Sequence, residues 1–427
     1  MSTFGPTHID DRMLARVVAL MPADFATKDV SQHAEMLAAH PVHRDERNWH
    51  AHVGGALSSA RNSLGIQETQ KGTSRGSRWH RMTLANADVG RPAVIPPPPP
   101  ASVAMSQPPV GDGQHALDLG PQYAGDNRLA AKMRRHQSWY RANVLRVPFG
   151  TGPKSTDLNL YGNMLTVADA ERGANFLTPG IFAVAKRRLA EGMGTVEPFR
   201  LLRNMLSSQP MCFNLFGPLV DDLDLATRLM AELRPGEVAK VTAVKLEFAP
   251  QPSGAYLADR TAFDAYVEWV TPTGGKAFMG FETKLTEPFS QTREYDGQAY
   301  RRWMTDGSPW LPEAAGAVTN IRHNQLWRDH LLAVAHLRQT GAAWEAGRLA
   351  VVRHPLDVEG AETVVRYRQL LRPDDNTFLD LTLEQVVEAW GRAVRSEGER
   401  AWLQAFRLRY LDLGAEACAD QCLAGGN

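Results

Sequence analysis

Two acids and one lysine near the middle of the chain have types and spacing that could do chemistry. Asp264 is followed, after 17 residues, by Glu282-Thr283-Lys284. Paired carboxylates are hard oxygen donors for a divalent cation, and an ammonium beside a phosphate can orient or activate water. The flanking residues say how these groups could meet. Ala262–Val270 and Lys276–Leu285 are apolar, β-prone runs joined by Thr271-Pro272-Thr273-Gly274-Gly275. Pro presets φ and Gly accepts positive φ, so this joint predicts a tight turn between two strands. Side chains alternate along a strand, which puts Glu282 and Lys284 on one face and Phe281, Thr283 and Leu285 on the other. Paired strands would bring Asp264, Glu282 and Lys284 together at one end of a small sheet, a set suited to phosphodiester hydrolysis.

This set resembles the D-(x)n-E-x-K signature of the PD-(D/E)XK nuclease superfamily, with Phe263 where a Pro commonly precedes the Asp. The stretches Leu202–Leu219, Asp259–Asp264 and Asn324–Leu332 are similar to a bacterial family of restriction endonuclease-like proteins in that superfamily. The resemblance implies a Mg²⁺-dependent endonuclease, with Mn²⁺ as a substitute, acting on double-stranded DNA in restriction or phage defence. It implies Asp264, Glu282 and the backbone carbonyl of Thr283 as metal ligands, and Lys284 beside the attacking hydroxide or the scissile phosphate. A further acid often comes from an earlier helix in this superfamily. Glu197 is the first candidate here and Glu247, late in the first strand, the second; Gln325 and Arg328 could also reach the site or the DNA. Cleavage of both strands would suggest a homodimer. Two other readings stay open: a non-catalytic DNA-binding or regulatory protein on the same scaffold, and a structure-specific or RNA-directed nuclease.

The elements that must position these groups follow from periodicity. Val238–Phe248 alternates as a first strand, and Arg348–Arg353 is a short apolar fourth strand. Between them, His323–Arg338 predicts an amphipathic helix with Leu326, His330, Leu331, Val334 and Leu337 inward. Upstream, Pro179–Leu189 and Val196–Leu206 read as helices, and Asn204–Leu219 leads through Gly217-Pro218 into another helix ending near Leu233. Phe213, Leu215 and Phe216 predict core, while Ser207, Ser208 and Gln209 could meet phosphates. Basic Arg128–Asn143 is either a helix tracking a DNA backbone or a solvated helix packed through Leu129, Met133 and Trp139. Leu381–Trp390 and Glu397–Tyr410 read as peripheral helices. The fold class is α/β: a restriction-endonuclease-like αβββαβ core, with a mixed four-stranded sheet flanked by helices, over 127–395, then a C-terminal helix and tail over 396–427.

Residues 1–90 predict a separate winged-helix-like α+β domain. Ile9–Met21, Asp29–Ala39 and Trp49–Leu64 have helical patterns, and Ile66–Thr69 and Arg78–Met82 flank a Gly-rich basic turn. Arg61, Lys71, Arg75, Arg78 and Arg81 against the single acid Glu68 suit DNA phosphate contacts, although a protein-interaction or dimerisation domain could have the same shape. Five histidines between His33 and His52 lack the spacing of a metal cluster and read as surface residues. Residues 91–126, with the proline run Pro96–Pro100, read as an interdomain linker.

Composition bounds the rest. The 427 residues carry 47 basic and 47 acidic side chains, so any nucleic-acid surface is a local patch. Three cysteines are too few for a disulfide framework and predict reduced thiols in the cytoplasm. No stretch approaches the ~20 apolar residues of a membrane span, and neither a Walker loop nor a Gly-x-Ser-x-Gly elbow is present.

Overall fold

Thr271-Pro272-Thr273-Gly274-Gly275 reverses the chain as its residue types predict. The Thr271 N–H donates to the Gly275 carbonyl at 2.8 Å, and Gly274 takes φ +88°, where a side chain would be strained. The structure is a computed structural model that describes residues 118–153, 159–192, 196–290, 298–305, 308–318, 323–339 and 343–414. Of the first 117 it describes 14, 17–18, 24–26, 30, 53, 57, 66–70 and 78–81. The chain divides into two units, Met1–Val110 and Gly111–Asn427.

In the first unit, β1 (Asp24–Ala26), β2 (Ile66–Gln70) and β3 (Arg78–Arg81) form an antiparallel sheet of order β1-β3-β2. Leu14, Val17, Val18, Val30, Val53 and Leu57 are helical and buried. The rest of the expected winged-helix arrangement lies outside the described residues, as do Arg61, Lys71 and Arg75 and the side chains of Arg78 and Arg81.

The second unit opens with α1 (Arg128–Trp139), which widens into a π-helical stretch over Tyr140–Leu145, and the hairpin β4 (Phe149–Thr151) and β5 (Leu160–Leu165). Helices α2 (Pro179–Ala190), α3 (Pro198–Arg203), α4 (Ser208–Asp221) and α5 (Leu223–Leu233) follow. Pro starts both α2 and α3, where its missing N–H costs nothing. Next come β6 (Lys240–Phe248), β7 (Phe263–Val270), β8 (Lys276–Lys284), α6 (Asn324–Arg338) and β9 (Trp344–Arg353). The described part closes with α7 (Val358–Arg368), β10 (Phe378–Thr382), α8 (Leu383–Gly391) and α9 (Glu397–Tyr410).

Among the described residues the main sheet has five strands in the order β10-β9-β8-β7-β6, which corrects the expected four. β6, β7 and β8 are antiparallel, while β9 runs parallel to β8 and β10. The extra strand is β10. Its five residues run straight into Thr382, which opens α8 with a capping box, so strand and helix merge into one apolar pattern in the sequence. Helices cover both faces, and β8 is buried at every position except Lys276. Alternation along β9 divides the two cores: Leu349 and Val351 pack with α6 and α7, and Ala350 and Val352 with α4, α8 and α9. A Cβ on Gly280 in β8 would stand 2.2 Å from the Phe263 ring, so this crossing needs glycine.

Two more expectations, the peripheral place of Glu397–Tyr410 and the reach of the linker to residue 126, meet a different outcome. Helix α4 runs through Gly217-Pro218 to Asp221, and the next helix, α5, ends at Leu233 as the sequence predicts. Pro218 has no N–H for the carbonyl of Asn214, four residues back, and the Trp402 indole of α9 donates to that carbonyl at 2.8 Å instead. Helix α9 is therefore not peripheral; Trp402, Leu403, Phe406 and Tyr410 belong to the core under the sheet. Residues 118–126, assigned to the linker by composition, bond to the second unit. Gly162 N–H donates to the Pro121 carbonyl at 2.8 Å, and buried Arg141 of the π-helical stretch donates to the Asp118 carbonyl at 2.7 Å. No helix among the described residues is long and apolar enough to cross a membrane.

Candidate active site

The strand register lines up three acids. The pairs Leu246↔Ala265 and Phe248↔Phe263 bracket Glu247 opposite Asp264 on one side. Ala265↔Phe281 is the last β7–β8 pair, and one step further Asp264 meets Glu282 on the other side. Glu247, Asp264 and Glu282 thus stand abreast on adjacent strands. Glu247 has φ +52°, in a region costly for any residue but glycine, and its own ladder position is skipped. Past the last ladder pair, Thr283 turns to the Asp264 side chain. Its N–H and its hydroxyl donate to Asp264 Oδ2 at 2.8 and 2.7 Å.

Lys284 sits beside the row, its Nζ 2.9 Å from Glu282 Oε1, with both side chains almost fully buried. Gln325, on the first turn of α6, holds the pair: its amide nitrogen donates to Glu282 Oε1 at 2.5 Å, and Lys284 Nζ donates to its carbonyl oxygen at 3.1 Å. Gln209, at the start of α4, donates to Glu247 Oε1 at 2.6 Å. The structure therefore brings together Asp264, Glu282, Thr283, Lys284, Glu247 and Gln325. A cleft of about 830 Å³ lies over them, and Glu197 also lines it. Both oxygens of Glu197 are engaged at the N-terminus of α3, accepting from Phe199 N at 3.1 Å and Arg200 N at 2.7 Å. Arg328 is not in the cleft lining and lies 3.6 Å from Asp259.

The charges are strongly coupled. Burial pushes the Asp264 carboxyl well above the usual range, and the negative charges of Glu282 and Glu247 push it further, with Thr283 and Lys284 opposing. Burial by itself would lower the Lys284 ammonium, but Glu282 and Asp264 outweigh it and raise the group above its ordinary value. Lys284 is consequently a permanent cation rather than a base at neutral pH. Asp264 Oδ1 and Glu282 Oε2 accept no hydrogen bond among the described residues and are hard oxygen donors suited to a divalent cation. No group of three or more His, Cys, Asp or Glu side chains among the described residues, however, is arranged to hold a metal ion.

Three neighbours escaped the sequence reading. Glu287, three residues past Lys284, accepts from the Ser208, Leu285 and Thr286 N–H groups at 2.8, 3.3 and 3.2 Å. Arg200 lines the cleft from α3. No periodicity marks either residue. Asp329 lies one turn beyond Gln325 and is 4% exposed, with Oδ2 buried and lacking a partner among the described residues. Burial, then the charge of Glu282, raises its pKa well above the usual range. An acid inside the apolar stripe of α6 was the available signal.

A mixed sheet between helices, with acids and a lysine gathered at its strand ends, is the frame of a nuclease domain. The chain belongs to the PD-(D/E)XK nuclease superfamily, whose family profile matches residues 124–412, or 289 of the 427. Comparison with curated proteins and with solved structures returned no match. Membership makes nucleic acid the substrate class and agrees with the hard-cation chemistry of the acid row.

Proposed function

We propose that the protein is a divalent-metal-dependent endonuclease that hydrolyses DNA phosphodiester bonds in the cleft over Asp264, Glu282 and Lys284. The observation that carries this reading is the pair of uncommitted oxygens, Asp264 Oδ1 and Glu282 Oε2, beside the Lys284 ammonium, 2.9 Å from Glu282 Oε1. Asp264, Glu282 and, by resemblance, the Thr283 carbonyl would hold Mg²⁺ or Mn²⁺. When bound, that cation supplies neutralisation of phosphate charge. Lys284 places an ammonium at the same spot to stabilise charge that develops as the phosphate is attacked. Gln325 orients Glu282 and Lys284 together, so neither has to reorganise during the reaction. Glu247 is the better candidate for a further acid, because Glu197 is committed to capping α3. At the first turn of α4 the Gln209 N–H is capped by Ser207 and the Ser208 N–H is taken by Glu287, which leaves the Ser207 and Ser208 hydroxyls in the cleft lining as donors. A restriction or defence role, and DNA contacts from Arg61, Lys71, Arg75, Arg78 and Arg81, rest on the sequence reading.

The test incubates purified protein and its Asp264→Ala and Lys284→Ala variants with plasmid in Mg²⁺, Mn²⁺ or EDTA. Nicking or linearisation should require metal and fall below detection in both variants. Cleavage that persists in both removes this assignment of the site.

A further inference from the structure

The cleft sets a charge problem for any phosphodiester chain that enters it. Glu197, Glu247, Asp264, Glu282 and Glu287 line it against two cations, Arg200 and Lys284. Lys284 is engaged by Glu282 and Gln325. Arg200 differs: it is exposed, and its guanidinium makes no ion pair or hydrogen bond among the described residues. Arg203, nearly one turn on, shows what a structural arginine does in this helix, donating to the Leu165 carbonyl at 3.0 Å and to Thr151 Oγ1 at 3.1 Å.

Beyond the acid row a second hollow of about 430 Å³ lies along β6, an edge strand of the sheet, and shares Glu247 with the cleft. Arg187, Arg188 and Glu191 line it beside Glu247, and Lys245 rises from the same strand edge. Lys245 is exposed and has no acid partner among the described residues; its side chain leaves β6 on the face opposite Val244 and Leu246, with the ammonium 4.4 Å from the Phe248 ring centre and 5.8 Å from that of Tyr266. Arg187 pairs with Asp221 at 2.7 Å, but the two side chains are 51% and 63% exposed, so this pair is weak and exchangeable. Arg188 donates to the Leu246 and Glu247 carbonyls at 2.9 and 2.8 Å, which fixes the strand edge between the two cavities.

We propose that cleft and hollow form one track for a DNA backbone, held by Arg200 on one side of the acid row and by Lys245 and Arg187 on the other. The proposal deepens the nuclease reading, which supplies the polyanion. A phosphate drawn over Glu247, Asp264 and Glu282 is repelled by them, and cations on both flanks offset that repulsion before any reaction. The track reads charge and not base identity, so it holds DNA without preference for sequence.

The test is fluorescence anisotropy of a labelled ~30-nucleotide DNA, as duplex and as separated strand, with full-length protein in EDTA from about 50 to 200 mM KCl. Arg200→Ala should weaken binding about tenfold and lower the salt slope by about one unit, and Arg200→Lys should keep the slope. Arg187→Ala with Lys245→Ala should lower the slope by about two units. Arg366→Ala, on the exposed pair with Glu362 and lining neither cavity, should match wild type. Wild-type affinity and slope in both the Arg200→Ala and the double variant overturn the track. Plasmid cleavage on the same preparations separates the two readings. A lowered slope in protein that never cleaves keeps the track and removes the nuclease assignment; cleavage with unchanged slopes removes the track alone.

Discussion

Helix α4 touches two buried polar regions that are built on opposite terms. Around Asn214, in its middle, every group finds a partner. Asn214 donates to the Asn175 carbonyl at 2.9 Å and to the Tyr410 hydroxyl at 3.0 Å, and its oxygen accepts from Leu177 N at 2.8 Å. Arg409, fully buried, donates to the Asn175 carbonyl at 2.8 Å and to Gln137 Oε1 at 3.2 Å, while Gln137 returns a bond to the Arg409 carbonyl at 2.7 Å. At the N-terminal end of α4, Gln209 reaches an acid row where Asp264 Oδ1 and Glu282 Oε2 are left over and Asp329 Oδ2 is buried without a partner. Saturated polar networks hold elements in register. Carboxylate oxygens left over in a cleft are unfavourable for folding and useful for binding something else. The contrast predicts that stability and activity separate by region.

The largest effect belongs to the row. Asp264→Asn and Lys284→Ala should each lower the cleavage rate by about 10²–10³-fold or more. Asp264→Asn should leave the melting temperature unchanged or raise it, because a strained buried carboxyl is gone. A melt that collapses together with activity would break the comparison. Arg409→Met should do the reverse. It leaves the Asn175 and Gln137 acceptors without donors and should cost about 2–4 kcal/mol in urea unfolding, with cleavage per folded molecule unchanged. Gln325→Ala falls between them. Glu282 and Lys284 lose their shared orienting group, so cleavage should drop about tenfold with little change in stability.

Much of the site was readable before the fold, and the reason is local. Strand alternation alone puts Glu282 and Lys284 on one face, and the Pro-Gly turn folds Asp264 back toward them. Gln325 was readable as a polar residue opening an amphipathic helix. The rest depends on partners distant in the chain. Glu247 is held in the row by the Gln209 amide, from a helix 38 residues earlier, which no local pattern shows. Helix α4 survives Pro218 because Trp402, 184 residues later, supplies the missing donor. β10 was invisible because a five-residue strand abuts a capped helix with no polar gap between them. Local patterns specify elements and faces, whereas saturation of buried polar groups is a property of the assembled chain.

Asp329 gives the smallest and sharpest test of the comparison. Its carboxyl is held above its ordinary range, first by burial and then by Glu282, with Arg328 and Lys284 opposing. In the unfolded chain the group titrates at about 3.9. Between that value and the raised folded one, the folded protein binds the extra proton, so stability declines as pH rises through this window. Asparagine has the same shape and no titration. Asp329→Asn should therefore match wild type near pH 4 and become more stable than it as pH rises, by up to about 1–3 kcal/mol. Urea unfolding of both proteins from about pH 4 to pH 8 measures the divergence. Parallel curves would mean that Asp329 ionises normally in the folded state. It would then be as well satisfied as Arg409, and the line drawn between the two regions would have to move.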